Sequence, residues 1–146
     1  MEYNKVLISF EPSSIVLGKE TNMKMPISEI IDRYTITLLK SKKTTEDVSE
    51  ELNCYKEEIA TYEKERDVSS YIKRMYEING KIWDTESEIR KGTELPLETV
   101  GKLALKVRDL NRTRNGIKAE IVNEFCEGFK ELKINYTKVD YGRIKK

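Results

Sequence analysis

The sequence predicts an all-α fold: an antiparallel four-helix bundle with a long C-terminal helix and a small β appendage built from the N- and C-terminal segments. Three observations carry this expectation. Charged residues make up 36% of the 146, with 27 Lys and Arg against 26 Asp and Glu, a net charge of +1. An average globular domain carries roughly 25% charged residues, and a balanced excess suits the solvated faces of long helices. Only three prolines and seven glycines are present, too few for a loop-rich sandwich. Finally, four stretches repeat apolar residues at helical spacing. The length is about one domain's worth, read as a β-like extension over 1–22 and a helical bundle over 23–146.

The extension carries two short apolar runs, Val6 to Phe10 and Ile15 to Leu17, with Glu11-Pro12-Ser13-Ser14 between them as a turn signal. Lys19 to Asn22 reads as a connector. The first helix follows Pro26, with Ser28 as its expected cap and an end near Lys42. Its apolar face is Ile27, Ile30, Ile31, Tyr34, Leu38 and Leu39. Thr45 is expected to cap a second helix, in which Val48, Leu52, Tyr55, Ile59 and Tyr62 recur at 4-3-4-3 spacing. That heptad pattern places the helix against a partner in coiled-coil fashion.

A third helix is expected over about 70–91, with the stripe Ile72, Met75, Asn79, Ile82, Glu86 and Ile89. Gly92 and Pro96 bracket the turn to a fourth helix, which starts near Leu97 and reaches about Glu127. Its stripe runs from Val100, Leu103, Ala104, Val107 and Leu110 through Arg114 to Ile117, Ile121 and Phe125. Residues 133–139 alternate with period two, as a strand does, and could pair with the N-terminal hairpin. Long heptad-bearing helices in so short a chain leave apolar surface to cover, so a homo-oligomer is expected.

Composition excludes several chemistries. There is no histidine, which removes Ser-His-Asp and Cys-His nucleophile activation and any His-ligated metal site. Cys54 and Cys126 stand far apart and form no CxxC motif, so they read as reduced thiols and no metal is expected. A near-neutral chain offers no electrostatic case for nucleic acid; the basic tail Arg143-Ile144-Lys145-Lys146 is short. No run approaches the roughly 20 apolar residues of a membrane span, and no secretory leader is visible, which places the chain in a cytoplasm. Gly-rich phosphate loops are absent, and no spacing pairs two carboxylates as acid and base. No cofactor is implied.

The most informative feature is the polar residues inside the apolar stripes. Burying a charge costs several kcal/mol unless it is paired. One reading is an internal Glu86–Arg114 ion pair, with Asn79 satisfying what remains and the set fixing helix register. The other is a polar cleft. Asn111 and Lys118 lie three before and four after Arg114, so the three share a face. Arg90 lies one turn after Glu86, while Arg33, Thr37 and Lys40 flank the first helix at 4-3 spacing. Arg and Lys converging from three helices make an anion site, since guanidinium forks and ammonium groups hold phosphate or carboxylate. Trp83, on the helix of Asn79 and Arg90, is a candidate ring to stack on a base.

Three blocks resemble the signature of one uncharacterised family of small helical proteins from bacteria and their phages. Ile31-Asp32-Arg33-Tyr34-Thr35-Ile36 with Lys40 is similar to the pattern D-(K/R)-x-(S/T)-I with a following K. Asn79 to Arg90 is similar to N-x-x-L-W-x-x-E-D-x-I-R. Asn111 to Ile121 is similar to N-x-x-R-x-x-x-K-x-x-I, followed near Lys133 and Tyr136 by a block like E-E-K-x-Y. Ser87 stands where the pattern has its second acid, and Asn135 adds a residue between Lys133 and Tyr136. The resemblance implies no activity. It does single out polar and basic positions, among them Lys133 and nearly all those picked by the helical-face reading.

The expected site is therefore Arg33, Lys40, Asn79, Trp83, Glu86, Arg90, Asn111, Arg114, Lys118 and Lys133. The expected partner is an anionic small molecule of nucleotide type, bound without turnover. Small helical phage proteins that sequester host immune signal nucleotides are one setting where such binding suffices. Two alternatives stand beside it. One is a scaffold that uses the heptad face of residues 48–62. The other is a small helical enzyme of the chorismate-mutase type, where Arg and Lys from several helices hold a dicarboxylate and catalysis is electrostatic.

Overall fold

The computed structural model describes residues 24–91 and 94–129, together with the backbone of residues 16, 17, 19 and 20. The fold is all-α. Four helices occupy the described residues: α1 (Ile27–Lys43), α2 (Ser49–Glu63), α3 (Ser69–Lys91) and α4 (Leu97–Phe125). No helix there is long and apolar enough to cross a membrane. Val16–Leu17 pairs antiparallel with Lys19–Glu20, with Val16 opposite Glu20 and Leu17 opposite Lys19. The expected connector thus supplies one of the two paired segments. The expected strands over 6–10 and 133–139 lie outside the described residues.

α1 is the central helix. It packs against α2, α3 and α4, and α3 packs against α4. A helix with three neighbours buries more than one face, and α1 carries two buried stripes. The apolar one, Ile27, Ile30 and Ile31, joins Ile59, Met75 and Ile121 in the core. The other is largely polar: Ser28, Asp32, Thr35 and Leu39, each at most 2% exposed and spaced 4-3-4. The expected face held Leu39 of this second stripe but none of its polar members, and it included Tyr34 and Leu38, which are half-buried.

Local signals set most helix ends, with two corrections. Ser28 does not cap α1. Pro26 precedes the first helical residue with φ −70°, already suited to a helix start, and its carbonyl accepts from the Glu29 and Ile30 amides. The Ile27 amide, left without an intrahelical partner, donates to the Glu127 carboxylate at 2.9 Å. α2 begins at Ser49, not after Thr45. The Thr44 hydroxyl instead bonds back to the Lys40 carbonyl at 2.7 Å, which closes α1. The Asp47 carboxylate then accepts from the Ser49 amide at 3.1 Å, an Asx turn leading into α2. Asp67 and Ser69 repeat that turn before α3.

Past Phe125, Cys126 takes the left-handed conformation that ends many helices, with φ 52°. Gly128 follows at φ 93°, and a Cβ there would stand 2.9 Å from Pro26 Cβ. Only glycine fits this crossing, which delivers Glu127 to the start of α1. Tyr62 from α2 donates to the same carboxylate at 2.6 Å, so Glu127 ties three elements together.

Burial rises toward the C-terminal ends of α2 and α4. Tyr55, Ile59 and Tyr62 of the α2 heptad are buried, while Val48 and Leu52 are half-buried. Ile117, Ile121 and Val122 are buried near the end of α4. Its earlier stripe, Val100, Leu103, Val107 and Leu110, is only half-buried, and Ala104 is exposed.

Candidate functional site

The polar stripe of α1 faces α3 and α4, and a buried network forms there. Asp32, 2% exposed, receives both arms of the Arg114 guanidinium: Nε donates to Oδ1 at 2.9 Å, and Nη2 donates to Oδ2. Asn79 Nδ2 donates to Asp32 Oδ1 and to the Thr35 hydroxyl, both at 2.9 Å. The Thr35 hydroxyl donates to the Asp32 backbone carbonyl at 2.8 Å. Lys118 Nζ stands 3.7 Å from Asp32 Oδ2 and 2.7 Å from Glu29 Oε2. Burial pushes the Asp32 carboxyl up, but the Arg114 hydrogen bonds and charge, with Asn79 and Lys118, outweigh it and hold the group below the usual carboxylate range. An ionised carboxylate so held is not a proton acceptor near neutral pH.

The expected Glu86–Arg114 pair is therefore corrected. Arg114 spends its fork on Asp32, a shorter and far more deeply buried acid. Glu86 pairs loosely with Arg90 one turn on, at 3.6 Å, where the two side chains are 42% and 81% exposed.

Above this network lies a cavity of about 540 Å³ between α1, α3 and α4, within the roughly 300–1,000 Å³ range of small-molecule sites. α1 contributes Ile36, Leu39 and Lys40 to its wall. α3 contributes Asn79, Ile82, Trp83 and Glu86, with Ser87 and Arg90 at one end. α4 contributes Asn111 and Arg114, joined by a 3.4 Å hydrogen bond from Arg114 Nη1 to Asn111 Oδ1. The wall thus combines cations from three helices, the sole tryptophan of the chain, and a floor of aliphatic side chains.

Seven of the ten expected site residues meet on this wall: Lys40, Asn79, Trp83, Glu86, Arg90, Asn111 and Arg114. Arg33 does not. It is exposed on the α2 side of α1, beside the Tyr55 hydroxyl, whose pKa burial and then Glu51 push up to about 12. Lys118 lines a second cavity of about 410 Å³ near the start of α1, with Pro26, Ser28, Glu29 and Asn115. Lys133 lies outside the described residues. The sequence reading had not placed Asp32 or Thr35 beneath the site. Their shared 4-3-4 spacing with Ser28 and Leu39 was the available signal.

No family model, curated protein or solved structure matches the chain. The chemistry must be read from the wall itself. Lys40 Nζ has no carboxylate within 4 Å among the described residues, and the Trp83 indole N–H has no protein acceptor there. Among the described residues, Glu86 is the only carboxylate on the wall. Among the described residues, no three metal-ligating side chains converge. The arrangement suits holding an anion with an attached ring more than moving a proton.

Proposed function

We propose that the cavity between α1, α3 and α4 binds a phosphorylated, nucleotide-type small molecule without turning it over, as a sequestering protein would. One observation carries this: seven residues, chosen from sequence for their polar chemistry on three separate helices, line a single cavity of ligand size. Lys40 and Arg90 supply cations to phosphate oxygens. Trp83 supplies a face for the ring, and the ring's edges rest on Ile36, Leu39 and Ile82. Arg114 belongs to the floor: its charge adds to the field, while its fork stays on Asp32. Membership of the small helical family that the three blocks resemble is part of the same reading.

So is the finer architecture. Glu51 meeting Thr37 of α1, and Tyr71 and Arg74 meeting Glu124 and Glu120, support antiparallel neighbours in a four-helix bundle. The small β appendage completes that arrangement.

A thermal-shift screen of the purified chain against nucleotides, cyclic nucleotides, nucleotide sugars and small dicarboxylates tests the function. A ligand at about 100 to 1,000 times its dissociation constant stabilises by about 3–4 kcal/mol. A shift with one phosphorylated class, lost in Lys40→Ala, and recovery of that ligand chemically unchanged, support binding. Conversion of the ligand points to an enzyme, and silence across the panel removes the reading.

The half-buried stripe Val100 to Leu110 favours a second reading, an interaction protein that covers this face with a second copy of the chain. Sedimentation equilibrium decides it: a mass independent of concentration and equal to one chain excludes it.

A further inference from the structure

Asn79, Trp83 and Glu86 lie at positions i, i+4 and i+7 of α3 and line the same cavity. Seven residues of helix span about 10 Å, the length of a fused bicyclic base with room at either edge. The side chains at the two ends of this stripe bring hydrogen-bond acceptors. Asn79 is 5% exposed and spends its amide protons on Asp32 and Thr35. Its Oδ1 has no donor among the described residues. Glu86 brings a carboxylate, held only by a loose and exposed contact with Arg90, the kind that contributes little and is readily given up. Of the remaining polar groups on the wall, Lys40, Arg90 and Arg114 are cations, Asn111 has its Oδ1 engaged by Arg114, and the Ser87 hydroxyl can donate or accept.

A base seated on Trp83 with one edge against the Glu86 carboxylate must bring donors on that edge. Guanine does so with N1–H and the 2-amino group, adjacent and pointing the same way, a match for the two oxygens of one carboxylate. Adenine presents a single amino group beside an unprotonated ring nitrogen, which a carboxylate repels. Cytosine does the same, and uracil flanks its one N–H with two carbonyls.

We propose that the cavity selects a guanine-type nucleotide, with the ring on Trp83, the N1–H and 2-amino edge on Glu86, and the phosphate on the cations of α1 and α3. This rests on the nucleotide-binding reading above. Glu86 is then the specificity-determining residue. A site built around hydrogen bonds to a ligand rejects the analogue that lacks them more strongly than an apolar pocket does.

Isothermal titration of the whole chain with GTP, ITP and ATP tests it, repeated on Glu86→Gln. Glu86 is half-exposed at the wall, so the variant keeps the fold, which its unchanged melting temperature verifies. The expected order is GTP, then ITP, which lacks the 2-amino group, then ATP. The gap between GTP and ATP should be about tenfold or more, and Glu86→Gln should bring GTP to the level of ATP. Equal affinities, a preference for ATP, or a GTP preference that survives Glu86→Gln overturns the guanine assignment and leaves nucleotide binding standing. No binding of any of the three removes both.

Discussion

Asp32 decides what Arg114 does. From the sequence, Arg114 interrupts an apolar stripe and could equally serve a ligand or a neighbouring acid. The structure gives both of its arms to Asp32, with Asn79 on the same carboxylate. Breaking a buried pair costs on the order of 3–5 kcal/mol, because the remaining charge is left without its partner. Arg114→Ala should therefore lower the melting temperature markedly, measured by circular dichroism, whereas Lys40→Ala, at an exposed position, should leave it nearly unchanged. A folded chain of unaltered stability in Arg114→Ala would contradict the pairing.

Acid unfolding tests the same carboxylate. The folded-state pKa of Asp32 is lowered, so its stabilisation is complete above the unfolded-state value, near pH 4. It is lost as pH falls through the folded-state value. Urea unfolding between about pH 2 and about pH 7 should show this limb in the native chain. The limb should be shallower in Asp32→Asn, which has no proton to take up there.

At the scale of the helix, apolar periodicity located all four elements, because amphipathic spacing is a direct consequence of burying one face. It could not locate the polar stripe of α1. Asp32 and Thr35 are buried through hydrogen bonds to partners 44 to 82 residues away or to their own backbone, and the 4-3-4 spacing they share with Ser28 and Leu39 does not say which partners those are. The cap of α1 was misread for the same reason: the acceptor of its first amide, Glu127, comes from the far end of the described chain. Glycine substitutions separate the two kinds of position. Gly116 lies within α4 with nothing inside 4 Å of an added Cβ. Gly116→Ala should thus raise stability by up to about 1 kcal/mol through helix propensity. Gly128→Ala meets Pro26 at 2.9 Å with φ 93° and should cost more than about 1 kcal/mol. Chemical denaturation of the two variants should give opposite signs.

Across the whole molecule, the class of fold and most of the lining of the candidate site were legible together. Lys40, Trp83, Glu86, Arg90 and Asn111 come from three helices, yet each sits where its stripe meets a neighbouring helix, and stripes that pack together bring their polar interruptions together. Arg33 escaped because α1 has helices on several sides, and 4-3 spacing with Lys40 does not say which neighbour a flank meets. It faces α2, beside Tyr55. Partner choice between helices is a property of the assembled core, and it separated the residues that line the cavity from their near neighbours.

Trp83 offers the most direct test of the central claim, since it is the sole tryptophan and stands on the wall of the cavity. Its emission, excited where tyrosine does not absorb, would be titrated with guanosine and adenosine nucleotides in the native chain and in Lys40→Ala. A saturable quench or shift with a nucleotide, weakened in Lys40→Ala, is expected if ring and phosphate occupy this cavity. Emission that stays constant once absorbance by the nucleotide is corrected, or a change identical in Lys40→Ala, would contradict it.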